Sequence, residues 1–128
     1  MDNHVITNEW FSLAKKDIES AKFLRKMKPI PLEIICYHCQ QSAEKYLKGF
    51  LAYNDQEVIK IHDLVFLNKK CCELESSFLT IQTECLRLTD YSVNIRYPVH
   101  FDINEKDMIL AIQDAERIQN FVLSFDLD

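Results

Sequence analysis

Glycine and proline are nearly missing from this chain: 1 glycine and 3 prolines stand among 128 residues, where the two together usually make up about 12%. Two-residue hairpin turns and glycine-rich phosphate loops need residues that tolerate positive φ, and Gly49 alone cannot supply them. A many-stranded barrel, a P-loop and a dinucleotide-binding fingerprint are thereby excluded. Long apolar runs are missing too. Ile34 to Tyr37 and Phe121 to Leu123 are the best the chain offers, far short of the roughly 18 residues of a membrane span. No membrane partner is expected. The opening MDNHVITNEW has no basic segment leading into an apolar one. With that start and an odd count of 5 cysteines, the expectation is a reduced, cytoplasmic protein.

What is present fits one soluble helical domain over residues 1–128. A 48% hydrophobic content is enough for a real core at this length. The balance of 15 basic and 20 acidic residues gives a net charge of −5. That argues against gripping nucleic acid through a broad phosphate-neutralising surface and leaves room for a local basic pocket.

Helical spacing runs through the chain. From Glu9 to Met27 the apolar positions are Trp10, Leu13, Ala14, Ile18, Ala21, Phe23, Leu24 and Met27, with Asn8 as N-cap. Lys22, Arg25, Lys26 and Lys28 complement the dipole at the far end, and Pro29 and Pro31 stop the helix. Pro31 suits the first turn of a second helix reaching about Tyr53, with Ile35, Cys36, Cys39, Ala43, Tyr46, Leu47, Phe50 and Leu51 on its apolar face. Gly49 inside that helix costs about 1 kcal/mol relative to alanine, so a close approach by a neighbouring helix is expected there. Asp63 caps a shorter third helix through Leu64, Leu67, Cys71 and Leu74. A fourth starts at Ser76 or Ser77 and carries Phe78, Ile81, Cys85, Leu88 and Ile95, with Pro98 limiting it and Tyr97 to Ile103 read as loop. Asn104 opens the fifth, whose stripe is Met108, Ala111, Ile112, Ala115, Ile118, Val122 and Phe125. The fold class is all-α: an antiparallel up-and-down four-helix bundle with one additional short helix.

Four constellations bear on chemistry. Cys36 and Cys39 have CxxC spacing but share a helix face, which marks small core residues rather than metal ligands; no metal and no cofactor are expected. Gln40, Gln41, Glu44, Lys45 and Lys48 read either as a solvated face with a Glu44–Lys48 pair or as a face turned to another helix. His62 beside Asp63 is a general base with its orienting carboxylate, or Asp63 is simply an N-cap. The densest chemistry lies between Asp90 and His100, where an acid, an arginine, two tyrosines and a histidine fall within eleven residues. A guanidinium at Arg96 can fork onto a phosphate. Arg96 and His100 together fit metal-free RNA cleavage, the histidine moving the 2′-hydroxyl proton and the arginine stabilising the pentavalent phosphate. Alternatively, Arg96 pairs with Asp90 to pin a helix end.

The run Tyr37-His38-Cys39-Gln40-Gln41-Ser42-Ala43-Glu44-Lys45-Tyr46-Leu47-Lys48-Gly49-Phe50-Leu51, then His62-Asp63-Leu64, then Asp90-Tyr91 with Arg96-Tyr97-Pro98, resembles the HEPN domain family (higher eukaryotes and prokaryotes nucleotide-binding) over about Glu9 to Phe125. The resemblance implies a homodimer. It also implies one of two activities: companion to a minimal nucleotidyltransferase, often in a toxin–antitoxin pair, or metal-independent ribonuclease. In the ribonuclease members four to six residues separate an arginine from a histidine. Arg96 matches that arginine, while only Tyr97, Pro98 and Val99 stand between it and His100. The leading expectation is a module binding nucleotide, or a nucleotidyltransferase, through Arg96, Asp90, Tyr91, Tyr97 and His62. A ribonuclease acting on RNA through Arg96 and His100 is the alternative, and a purely structural dimerisation module is a third.

Overall fold

The computed structural model describes residues 2–57, 60–92 and 102–127. Helix α1 spans Asn3–Leu24, α2 Leu32–Tyr53, α3 Leu64–Leu74, α4 Gln82–Leu88 and α5 Glu105–Leu123, with 3-10 segments at Ser76–Ile81 and Thr89–Ser92. The fold is an all-α antiparallel bundle, with no strand among the described residues. No helix there is long and apolar enough to cross a membrane.

The α1–α2 hairpin is its most extensive contact. As α1 ascends, its partners on α2 descend. Asn3 Nδ2 donates to the Tyr53 carbonyl at 3.4 Å and Thr7 Oγ1 to the Gly49 carbonyl at 3.1 Å. Ser42 Oγ donates to the Ala14 carbonyl at 2.8 Å, and Asp17 Oδ1 lies 2.9 Å from His38 Nδ1. Gly49 sits where the helices come closest: a Cβ there would lie 2.5 Å from Phe11 Cε1 and 3.1 Å from Trp10 Cβ. That is the close approach its interior position predicts. With glycine so scarce, the left-handed position in the turn after α2 falls to Asp55 at φ 59°, a residue whose short polar side chain tolerates that region.

Two boundaries differ from the sequence reading. Helix α1 begins six residues ahead of Glu9, with Asp2 rather than Asn8 as N-cap, its carboxylate accepting the His4 N–H at 2.8 Å. The extra turns are held by Asn3 and Thr7 bonding α2 carbonyls, which apolar periodicity cannot report. The fourth helix is not continuous either. Asn68 Nδ2 donates to the Phe78 carbonyl at 3.2 Å, occupying an acceptor that an α-helix would offer to residue 82. The Gln82 N–H bonds the Leu79 carbonyl instead, and the chain becomes α-helical only from Gln82. The other ends follow their caps: Asp63 Oδ1 accepts from Val65 N at 2.9 Å, and Asn104 and Asp107 form a capping box.

The core follows the stripes except on α1 and at Leu74 of α3, which is exposed. Phe78 is fully buried at its centre, its ring 4.5 Å from Phe50 and 4.9 Å from Phe121. Leu13, Phe23 and Met27, counted in the apolar face of α1, stand exposed instead. The face that meets α2 is narrower, using Ala14, Ile18 and Ala21.

Cys36, Cys39, Cys71 and Cys85 are buried free thiols, and Cys72 is half-buried. Burial pushes the Cys36 and Cys85 thiols up to about 12, and it raises Cys39 and Cys71 as well. The native fold therefore keeps these protons where the unfolded chain loses them. Stability is complete below the ordinary thiol value of 9.0 and falls as pH rises from there towards 12, by about 1.4 kcal/mol per unit for each such thiol. A disulfide reagent at about pH 8 is expected to label Cys72 first and the other four only as the fold opens. Titrating the native protein and counting modified thiols over time checks this; rapid labelling of all five would refute it.

Candidate functional site

Gln40, Glu44 and Lys48 recur every fourth residue on α2 and so share one face. That face is not solvated. Gln40 is 0% exposed, Glu44 4% and Lys48 5%, so the solvated reading does not hold. Lys45 and Lys48 meet Asp17 and Trp10 of α1, as a face turned to another helix would, whereas Gln40 and Glu44 meet the turn leading into α3. Glu44 accepts from Lys48 Nζ at 2.9 Å and Gln40 Nε2 at 3.2 Å, and His62 Nδ1 lies 3.0 Å from its Oε2. Gln40 Nε2 also donates to the His62 carbonyl at 3.0 Å.

A carboxylate only accepts, so Nδ1 of His62 carries the proton and Nε2 is left free. The ring is largely open to solvent, its side chain 60% exposed. The arrangement presents an imidazole whose orientation is fixed from below by a buried acid. Its orienting carboxylate is Glu44. Asp63, the partner its sequence position offers, is spent on the α3 N-terminus.

Thr89 brings the next part of the site alongside. Its hydroxyl accepts the Leu64 N–H at 2.9 Å and lies 3.4 Å from Asp63 Oδ1, joining the end of α4 to the turn that bears His62. Asp90 follows it and is exposed. Tyr91 is half-buried and hydrogen-bonds the Cys36 thiol. Burial first, and then the charges of Cys36 and Asp107, push its phenol well above the ordinary tyrosine range. Tyr91 and Asp107 line a pocket of about 220 Å³ with Arg87, Leu110, Ala111 and Asp114.

In that pocket Arg87 forks onto Asp114, with Nε to Oδ2 at 2.9 Å and Nη2 to Oδ1 at 2.8 Å. The bond to Asp114 holds the Arg87 guanidinium even higher than usual. Asp90 and Tyr91 thus follow directly on the Thr89 link to the turn that bears His62, while Tyr91 itself turns to Cys36 and the pocket against α5. Arg96, Tyr97 and His100 lie outside the described residues. Among those described, no group of three His, Cys, Asp or Glu side chains is placed to hold a metal ion.

Sequence reasoning passed over the clamps Arg87–Asp114 and Asp17–His38–Lys45. Both announce themselves as acids in apolar register. Asp17 falls among Ala14, Ile18 and Ala21, and Asp114 among Ala111, Ala115 and Ile118. A charge at such a position needs a partner of opposite sign.

Fold and site define a class of protein: a helical bundle whose second helix turns a charged face inward, beneath a histidine on the turn that leads into the third. The model of the HEPN domain family matches residues 7–125, and the chain belongs to that family. It is similar to the archaeal HEPN homologue ST0689, with 25% identity and a TM-score of 0.71, covering 92% of this chain and 95% of that one. It shares its fold with TT1696 from Thermus thermophilus, at 20% identity and a TM-score of 0.74, covering 97% and 98% of the two chains. No curated protein matches it.

Proposed function

We propose that this chain works as a homodimeric HEPN binding module. It takes a nucleotide phosphate, or the minimal nucleotidyltransferase that handles one, at a cleft formed by Arg96, Asp90, Tyr91, Tyr97 and His62. The observation that supports this is convergence. Tyr91 and Asp107, on the two flanks of the segment carrying Arg96, line one pocket, and Thr89 ties the same junction to the turn bearing His62. Arg87 is already engaged with Asp114, so the guanidinium this reading assigns to a ligand is that of Arg96. An arginine fork and an oriented imidazole together suit a phosphoryl group. A toxin–antitoxin pairing is one setting in which such a module acts.

Isothermal titration calorimetry with ATP, and with the product of any adjacent nucleotidyltransferase gene, tests the proposal. The wild-type protein is expected to bind one of them. Arg96→Ala is expected to weaken that binding by at least tenfold, about 1.4 kcal/mol. No heat from either titrant, or binding indifferent to Arg96→Ala, refutes it. The spacing of Arg96 and His100 places ribonuclease second. RNA cleavage in the presence of a chelator, abolished by His100→Ala, would put that reading first.

A further inference from the structure

A second groove runs along the α1–α2 hairpin and shares no residue with the cleft above. It is open along its length, has a volume of about 620 Å³, and is lined by Lys16, Glu19, Ser20, Phe23, Leu24 and His38. Its floor is rigid. Asp17, 8% exposed, gives one carboxylate oxygen to His38 Nδ1 at 2.9 Å and the other to the Lys45 ammonium. Because the acid can only accept, Nδ1 carries the proton, and this bond fixes the ring where it lines the groove.

Towards the end of α1 the surface becomes apolar. Phe23 is 68% exposed, Met27 56% and Ile34 48%. Met27 follows in the bend past the end of α1, and Ile34 lies a turn before His38 on the same face of α2. Large apolar side chains gathered at one corner mark a surface that something covers. Their rim is basic: Lys16, Arg25, Lys26 and Lys28 are exposed, in a chain whose net charge is −5. Lys22, in the same run, is occupied by Glu116 at 2.6 Å.

We propose that this groove docks an acidic amphipathic helix of a partner protein. Its apolar anchors cover Phe23, Met27 and Ile34, its carboxylates meet Lys16, Arg25, Lys26 and Lys28, and one of its polar side chains meets the His38 ring. Charge complementarity selects an acidic partner. Shape selects a helix: from Lys16 to Phe23 the groove follows α1 for about 10 Å, the span of anchors at i, i+4 and i+7. A small molecule in so open a groove would stay mostly in water.

The test uses the full chain and a fluorescent peptide of about 18 residues, with leucine at i, i+4, i+7 and i+11 and mainly glutamate elsewhere, followed by anisotropy. Saturable binding is expected, and it should weaken roughly tenfold with Phe23→Ser and again with Lys26→Glu. A peptide with lysine in place of glutamate should not bind. Phe23 and Lys26 are exposed, so thermal melts of both variants should match the parent. His38→Gln, read against the same melts, should weaken the peptide while leaving the fold intact. Absence of saturable binding, equal binding of the two peptides, or indifference to Phe23→Ser overturns the proposal. So does Phe23-dependent capture by phosphatidylcholine–phosphatidylserine vesicles or by oligouridine without peptide binding, which would assign the surface to a membrane or to RNA.

Discussion

Lys48→Ala is expected to lower the unfolding free energy by about 3 kcal/mol. The ammonium is not expendable, because its removal leaves Glu44, 4% exposed, as a buried carboxylate without its cation. Gln40 and His62 still reach that carboxylate, which limits the loss without cancelling it. The cost belongs to the stranded charge rather than to the pair. Glu44→Gln combined with Lys48→Met should therefore recover most of the stability that Lys48→Ala loses. Urea midpoints at constant slope measure both. A loss below about 1 kcal/mol for Lys48→Ala, or a double variant less stable than the single one, contradicts the argument.

The elements read correctly from sequence are those whose signal is local. Asp63 and the Asn104–Asp107 box mark the starts of α3 and α5 within a few residues of chain. Gly49 signalled its close contact with α1 because glycine inside a helix is unfavourable unless packing requires it. The elements misread depend on partners distant in sequence. The first turns of α1 lean on the carbonyls of Tyr53 and Gly49, and the 3-10 entry into α4 answers to Asn68.

The site divides along the same line. His62 was legible as a titratable group near a helix start, yet its orienting acid is Glu44, eighteen residues earlier in the chain. Glu44 and Lys48 stand four apart on a helix, a spacing shared by solvated pairs and buried ones alike. Only the turn before α3 lying across that face decides between them. Asp63 offered the nearer carboxylate and was already committed to α3.

Arg87→Ala is expected to cost a similar amount, about 3 kcal/mol, and to act directly on the proposed cleft. Asp114 is 0% exposed, and Arg87 reaches both of its oxygens from α4. After truncation the acid keeps Arg117, whose Nη1 lies 3.4 Å from Oδ1 and 3.8 Å from Glu84, a longer contact divided between two carboxylates. Lysine at position 87 restores the charge but not the fork, so Arg87→Lys should fall between alanine and wild type. Salt separates this clamp from ordinary surface pairs. Lys22–Glu116, with side chains 48% and 39% exposed, contributes about 0–1 kcal/mol and is screened, whereas a bond to a fully buried carboxylate is screened much less. The Arg87→Ala deficit should thus persist in about 0.5 M salt, measured by denaturant midpoints. Because the clamp holds α4 against α5 beside Tyr91, the variant should also lose affinity for whichever ligand binds wild type, even at temperatures where it stays folded. A deficit that vanishes in salt, or unchanged affinity in the folded variant, would reduce Arg87 to a surface cation with no part in shaping the cleft.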